Sequence, residues 1–458
     1  MKLKVAPVLD PQFQPMEMVF RDFEEAVKDC GQKVVIGIVR NNDFTSVREA
    51  RIFPEGSGKD EENYRYLERL VKTMLWVYGG YKIIIAGAPV VGERIAKAYK
   101  PDGERAFDYG FMMRVYERPF EVEVTDLEHA PKKYEAASPI GRHLDGCRIG
   151  FDAGGSDRKV SAVVNGESVY SEEVVWFPKT NSDPKYHYDG ILKAMKTAAS
   201  KMPRVDAIGV SSAGIYIDNR IMIASLFLKV SDEDFDKHVK NMYKDVAKEI
   251  GDVPLVVSND GDVTALAGAM SLDDNNVVGV AMGTSEAAGY VDGAGNITGW
   301  LNELAFVPCD FCRDAMVDEW SGDYGCGVKY FSQDGVIKYA PAAGIELDEK
   351  LSPAEKLKVV QKLMAEGDER AAKVYSTIGA CFGYTIAYYA RFYDIKHVLI
   401  MGRVTSGEGG SILIKKAEEV LRVEFPELAK KIQLHIPDEK SRRVGQSVAA
   451  ASLPELRK

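Results

Sequence analysis

The feature that most constrains this chain is a unit that occurs twice. Residues 149–153 read as a strand, followed by Gly154-Gly155-Ser156, a second strand over 160–164 and the turn Asn165-Gly166. Residues 277–282 read as another strand, followed by Gly283-Thr284-Ser285, a second strand over 287–291 and the turn Asp292-Gly293. In both, small residues join two β-rich runs, the pattern of a tight hairpin. Such a repeat predicts a duplicated domain, two lobes with a central cleft. Helices and strands alternate between the two units. Residues 189–202 read as helix, 205–211 as strand, and 253–258 as strand. Over 235–250, Phe235, Val239, Met242, Val246 and Ile250 fall on one helical face, with Ser231 and Asp234 as its capping pair. This order predicts an α/β protein.

The polar stretch 128–138 and the strand-like run that starts at Cys147 place a boundary near residues 139–146. Residues 1–145 then form a small N-terminal α/β domain, and 146–458 the duplicated module. In the first part, 33–40 and 47–53 read as paired strands and 81–86 and 120–124 as further strands. Residues 91–99 read as a short helix. Over 64–78 the spacing of Leu67, Leu70, Val71, Met74, Leu75 and Tyr78 predicts a helix that Gly79-Gly80 stops. Asp102, Glu104 and Asp108 are expected to be solvated surface charge, and no catalytic constellation stands out there.

Four segments carry chemistry. Gly150-Phe-Asp152-Ala-Gly154-Gly155-Ser156-Asp157 delivers an aspartate from a strand into a glycine turn. The turn's backbone N–H groups can surround a phosphate, and Asp152 can hold Mg²⁺ through water. It is not a Walker A loop, because no GxxxxGK[ST] occurs. Gly283, Thr284 and Ser285 offer a second such turn with two hydroxyls. Val257-Ser258-Asn259-Asp260-Gly261 ends a strand before a helix. An aspartate there either accepts a proton from a substrate hydroxyl or belongs to a helix cap. Gly402-Arg403, after the strand-like 398–401, opens a glycine-rich loop that can receive an adenosine or simply join strand to helix.

Taken in order, these segments resemble the ROK family of the sugar kinase, hexokinase and actin superfamily, over Cys147 to about Leu456. The closing run Arg443-Val-Gly445-Gln-Ser-Val-Ala-Ala resembles that family's last helix. The resemblance implies actin/hexokinase-like, ribonuclease H-like lobes and ATP- and Mg²⁺-dependent phosphorylation of a carbohydrate hydroxyl. By resemblance, Asp260 is the catalytic base, and Asn259 and Glu303 are sugar ligands. Asp152, Gly154, Gly155, Ser156, Gly283, Thr284, Ser285 and Gly402 serve the nucleotide. Two positions depart from the pattern: Phe306 stands where the family's sugar motif has histidine, and Val328 where it has glutamate. The alternative reading is a nucleotide-binding ATPase or sugar sensor without kinase activity.

A net charge of −10 argues against a nucleic-acid partner, which wants a basic face. The strands and helices of the first part also count against a DNA-binding regulator. No apolar run approaches the ~18–20 residues a membrane span requires, and no secretory leader is evident. The expected location is cytoplasmic, with a carbohydrate and ATP as small-molecule partners and a homodimer among the expected assemblies. Cys30, Cys147 and Cys381 are expected to be reduced core thiols. Cys309, Cys312 and Cys326 lack a fourth ligand nearby, so zinc is not expected. Trp320 is either a sugar platform or a core aromatic, the core being the safer expectation.

Overall fold

The computed structural model describes residues 2–135, 140–437 and 439–456. These divide into two compact units: residues up to 135 with 280–288 and 300–436, and residues 140–279 with 289–299 and those from 437 onward.

The first unit opens with the helix Met16–Val27 and a sheet of β1 (Gln32–Val39), β2 (Thr45–Ile52), β3 (Lys82–Ala86) and β4 (Glu121–Thr125) in the order β2-β1-β3-β4. β1 runs antiparallel to both neighbours, and β3 and β4 are parallel. The helix Asp60–Tyr78 buries Leu67, Leu70, Val71, Met74 and Leu75 as their spacing predicts, but it also buries Glu68, Arg69 and Lys72. It stops at Gly79, whose φ of 75° and whose approach to Tyr116 exclude a side chain: a Cβ there would lie 2.0 Å from the tyrosine oxygen. The helices Pro89–Ala98 and Ala106–Tyr116 complete the N-terminal part; the second has no counterpart in the sequence reading. Cys30 is exposed, not a core thiol, because it lies beyond the end of the first helix.

The second unit holds β5 (Cys147–Ala153), β6 (Asp157–Val164), β7 (Glu167–Val175), β8 (Ala207–Ser212), a small hairpin of β9 (Ile215–Ile217) and β10 (Arg220–Ile223), and β11 (Leu255–Asn259). Its main sheet has the order β11-β8-β5-β6-β7, parallel from β11 to β5 and antiparallel beyond. Gly150 and Gly209 face each other across β5 and β8. Both lie under the helix Glu439–Ala451: a Cβ would sit 1.8 Å from the Ser447 carbonyl oxygen at Gly150 and 1.6 Å from that of Ala450 at Gly209. Two adjacent glycines thus let that helix rest directly on the strands' backbone.

β12 (Val277–Met282) and β13 (Glu286–Val291) carry the chain between units and join β14 (His397–Met401) and β15 (Gln433–His435) in a sheet ordered β13-β12-β14-β15. In the first unit the helices Glu369–Tyr389 and Glu408–Glu424 meet along Gly379 and Gly383, where a Cβ would lie 2.3 Å from the Leu413 oxygen and 2.6 Å from Val420 Cβ. Among the described residues no helix is long and apolar enough to cross a membrane.

Candidate functional site

In the second unit, the ends of three parallel strands converge. Asp152 of β5 pairs in register with Ser211 of β8, whose hydroxyl donates to Asp152 Oδ1 at 2.8 Å. Lys159 Nζ stands 2.9 Å from Asp157 Oδ1 and 3.9 Å from Asp152 Oδ2. Burial pushes the Asp152 carboxyl up to about 6, Asp260 and Asp157 add to that, and Ser211 and Lys159 oppose it. The β5–β6 turn is held by Trp176, whose ring N–H donates to the Gly154 oxygen at 2.8 Å and whose backbone N–H donates to the Ser156 oxygen at 3.1 Å. The Ser156 hydroxyl donates to Asp157 at 3.1 Å.

Asp260 begins the helix Asp260–Leu272, and Asn259 is its cap, its side-chain oxygen accepting from Gly261 N–H at 2.8 Å. The Asn259 amide also donates to the Gly214 oxygen at 2.7 Å. The capping role thus falls to Asn259 and leaves the Asp260 carboxyl half-buried beside it. Burial raises that carboxyl's pKa; the Gly261 N–H and the charge of Lys179 work against the rise. The Gln446 amide donates to Ser211 Oγ at 3.2 Å and to the Asp260 carbonyl oxygen at 3.4 Å, tying the last helix to this strand end. Such a site can take up a proton at Asp260 and set backbone N–H groups against an anion.

The remaining predicted positions lie in the first unit. Gly402, with φ 99°, is pressed against β12, where a Cβ would lie 2.2 Å from the Met282 oxygen. Gly283 N–H donates to the Ser285 oxygen at 2.9 Å within its own turn, so the backbone donors this turn can offer an anion are those of the exposed Thr284 and Ser285. Glu303 is half-buried and precedes the short turn Leu304–Phe306.

Glu286, the first residue of β13, was assigned no role from sequence. It is 3% exposed, it accepts from Tyr389 OH at 3.4 Å, and its Oε2 has no partner among the described residues. That oxygen lies 2.4 Å from the point a Cβ on Gly327 would occupy. Burial, with a smaller contribution from Glu303, pushes its pKa up to about 8. A carboxylate at the head of an otherwise apolar strand is the sequence signal that could have found it. The unfolded chain ionises this group near 4.5. Between that value and about 8 the folded state therefore binds more protons, and stability falls as pH rises through this window. Glu286→Gln is expected to flatten that fall in urea titrations at pH 5 and 8.5; equal slopes in variant and wild type would show that the carboxyl is already ionised.

Phe306 is buried in an aromatic cluster. Its ring centroid lies 4.4 Å from Trp76, 5.4 Å from Phe107, 6.2 Å from Phe111 and 5.9 Å from Trp320. Trp320 is 71% exposed, so the core expectation for it is wrong, although its ring centroid lies 6.0 Å from that of Phe107 and 5.9 Å from that of Phe306. Asp108 is also not surface charge. It is buried with Lys72 Nζ at 3.4 Å and accepts from Trp76 Nε1. The same buried network joins Glu68, Arg69, Arg105 and Asp323. Asp323 accepts from Arg69 at 2.9 and 3.2 Å and lies 2.8 Å from Arg105 and 2.7 Å from Lys72. Val328, Cys309, Cys312 and Cys326 are buried. Burial raises the thiol pKa of Cys309 and Cys326. The described residues contain no group of three or more potential metal ligands.

Solved structures of similar fold include a ROK family transcriptional regulator described as a homologue of the E. coli MLC protein. It matches with a TM-score of 0.51 and 18% identity, covering 68% of this chain and 79% of its own. A ROK hexokinase from Thermus thermophilus matches with a TM-score of 0.50 and 15% identity, covering 66% of this chain and 97% of its own. No curated protein matches the sequence. The family thus includes sugar kinases as well as transcriptional regulators. The model of the ROK family matches residues 148–444, and the chain belongs to that family.

Proposed function

We propose that this protein is an ATP-dependent carbohydrate kinase with an atypical, partly apolar substrate pocket. The observation that carries this reading is the half-buried Asp260 at the end of β11, beside Asp152 and the Gly154-Gly155 turn. In it Asp260 orients and deprotonates the accepting hydroxyl, and Asn259 and Glu303 bind the sugar. Gly154, Gly155, Ser156, Gly283, Thr284 and Ser285 line the phosphates, and Gly402 adjoins the adenosine. The donor set suits a magnesium ion held through water: Asp152 offers a carboxylate with one oxygen already fixed by Ser211. Bound there, the ion would offset phosphate charge. The protein's own contribution is positioning and fixed charge, which dominate phosphoryl transfer. Residues 1–145 form an α/β addition to the two-lobed module at 146–458, acting in the cytoplasm without a nucleic-acid partner.

Phe306 and Val328 favour a substrate that asks for fewer hydrogen bonds than glucose, since a hydroxyl stranded against an apolar wall loses its partners. A deoxy or N-acyl hexose is expected to bind more tightly than glucose by calorimetry in the presence of a nonhydrolysable ATP analogue. An ADP-release screen across sugars then identifies the substrate. Tight glucose binding would count against the apolar wall. ATP hydrolysis with no dependence on any carbohydrate would favour the second reading, an ATPase or sugar sensor, which the same two apolar residues support.

A further inference from the structure

Lys179 lies outside all the motifs above. It is the middle residue of the single turn Pro178–Thr180 that follows β7. The backbone around it is anchored: Phe177 N–H donates to Tyr186 OH at 2.9 Å, and His187 Nε2 bonds the Pro178 oxygen at 3.0 Å. The neighbouring Trp176 ties the same segment to the β5–β6 turn. The side chain is exposed and drapes over that turn. Its Cε and Nζ lie 2.8 and 3.0 Å from the point a Cβ on Gly155 would occupy, so Gly155 is the residue that leaves room for it.

The charges nearby are unbalanced. Asp152, Asp157 and Asp260 are three carboxylates at this strand end, and Lys159 is already engaged with Asp157 and Asp152. Lys179 forms no ion pair among the described residues, yet its charge reaches Asp260. A solvated surface lysine needs neither an anchored backbone nor a glycine beneath it. An unpaired ammonium above a glycine turn, beside a half-buried carboxylate, is suited to an incoming polyanion.

We propose that Lys179 is a catalytic residue of phosphoryl transfer, binding an oxygen of the transferring phosphoryl group above the Gly154-Gly155 turn. This rests on the kinase reading. In the step, the bond from the γ-phosphorus to the oxygen that leaves on ADP breaks, and a bond from that phosphorus to the substrate hydroxyl oxygen forms. The hydroxyl proton passes to Asp260. Lys179 exchanges no proton; it offsets the negative charge carried by the equatorial oxygens of the transferring group.

The test compares wild type, Lys179→Met, Lys179→Arg and a control, Lys185→Met, whose lysine pairs with Asp189 on the exposed face of the next helix. Titration calorimetry follows a nonhydrolysable ATP analogue and ADP, each with Mg²⁺. Turnover is measured against pH with the sugar found by the screen. Lys179→Met is expected to weaken the ATP analogue about tenfold and ADP by much less, and to lower kcat about a hundredfold. It should also move the acid limb of kcat/KM to higher pH, because Asp260 loses a neighbouring cation. Lys179→Arg should recover most of the binding, and Lys185→Met should behave as wild type. Unchanged nucleotide binding and turnover in Lys179→Met would overturn the assignment and leave the kinase reading standing. Failure of wild type to bind either nucleotide would overturn both.

Discussion

Replacing Asp260 by asparagine is expected to lower phosphoryl transfer by about 10²–10⁴-fold, the usual contribution of a positioned general base. Binding of an ATP analogue should stay near the wild-type value. The side chains have almost the same shape, and Asn259, not Asp260, caps the helix that begins there. The Gly261 N–H, which the Asp260 carboxylate accepts at 3.1 Å, keeps an oxygen partner in the asparagine, so little loss of helix stability is expected. Steady-state kinetics beside analogue calorimetry separates the two effects, and a variant that turns over like wild type would remove Asp260 from the mechanism.

The second large effect concerns stability. Asp323 is 1% exposed and meets three cations, Arg69, Lys72 and Arg105. Their positive charge holds its carboxyl well below the ordinary carboxylate range against the opposing effect of burial. Asp323→Leu leaves these buried cations with Glu68, Asp108 and the more exposed Glu104 to answer them. Removing one partner from a buried ion pair costs about 3–5 kcal/mol, and denaturant unfolding of the variant should show a loss of that order. A loss below about 1 kcal/mol would mean that water enters and solvates the stranded charges. Arg69 and Lys72 come from the helix Asp60–Tyr78, Arg105 from just before the helix Ala106–Tyr116, and all three grip the loop at Asp323.

Elements with a clear period were legible in the sequence. β1, β3, β5, β8 and β11 are short apolar runs, and each was found within a residue or two. The Gly154-Gly155 and Gly283-Thr284-Ser285 turns were legible because small residues between two β-rich runs leave few alternatives. The helix Ala106–Tyr116 was not, because a charged residue, Asp108, is buried on the same face as Met112 and Val115 and interrupts the apolar pattern. The roles of Asp108, Glu286 and Lys179 were hidden for another reason. A charged residue's meaning depends on its partners, and theirs lie far off in the chain: Lys72 for Asp108, Tyr389 for Glu286, Gly155 and Asp260 for Lys179. Local pattern gives such residues only the default of solvated charge, which was wrong for Asp108.

The helix Glu439–Ala451 lies on the paired glycines of β5 and β8, and Gln446 reaches the end of β11. On a ribosome, residues 147–259 emerge long before that helix, with about half of the other unit made in between. The strand ends carrying Asp152 and Asp260 must therefore wait, with one face of their sheet uncovered, until Ala451 has been made. Synthesis at about 5–20 residues per second makes that delay many seconds. Completion of this centre thus lags well behind synthesis of its own strands, and the interval is one in which a chaperone has an exposed apolar sheet to hold.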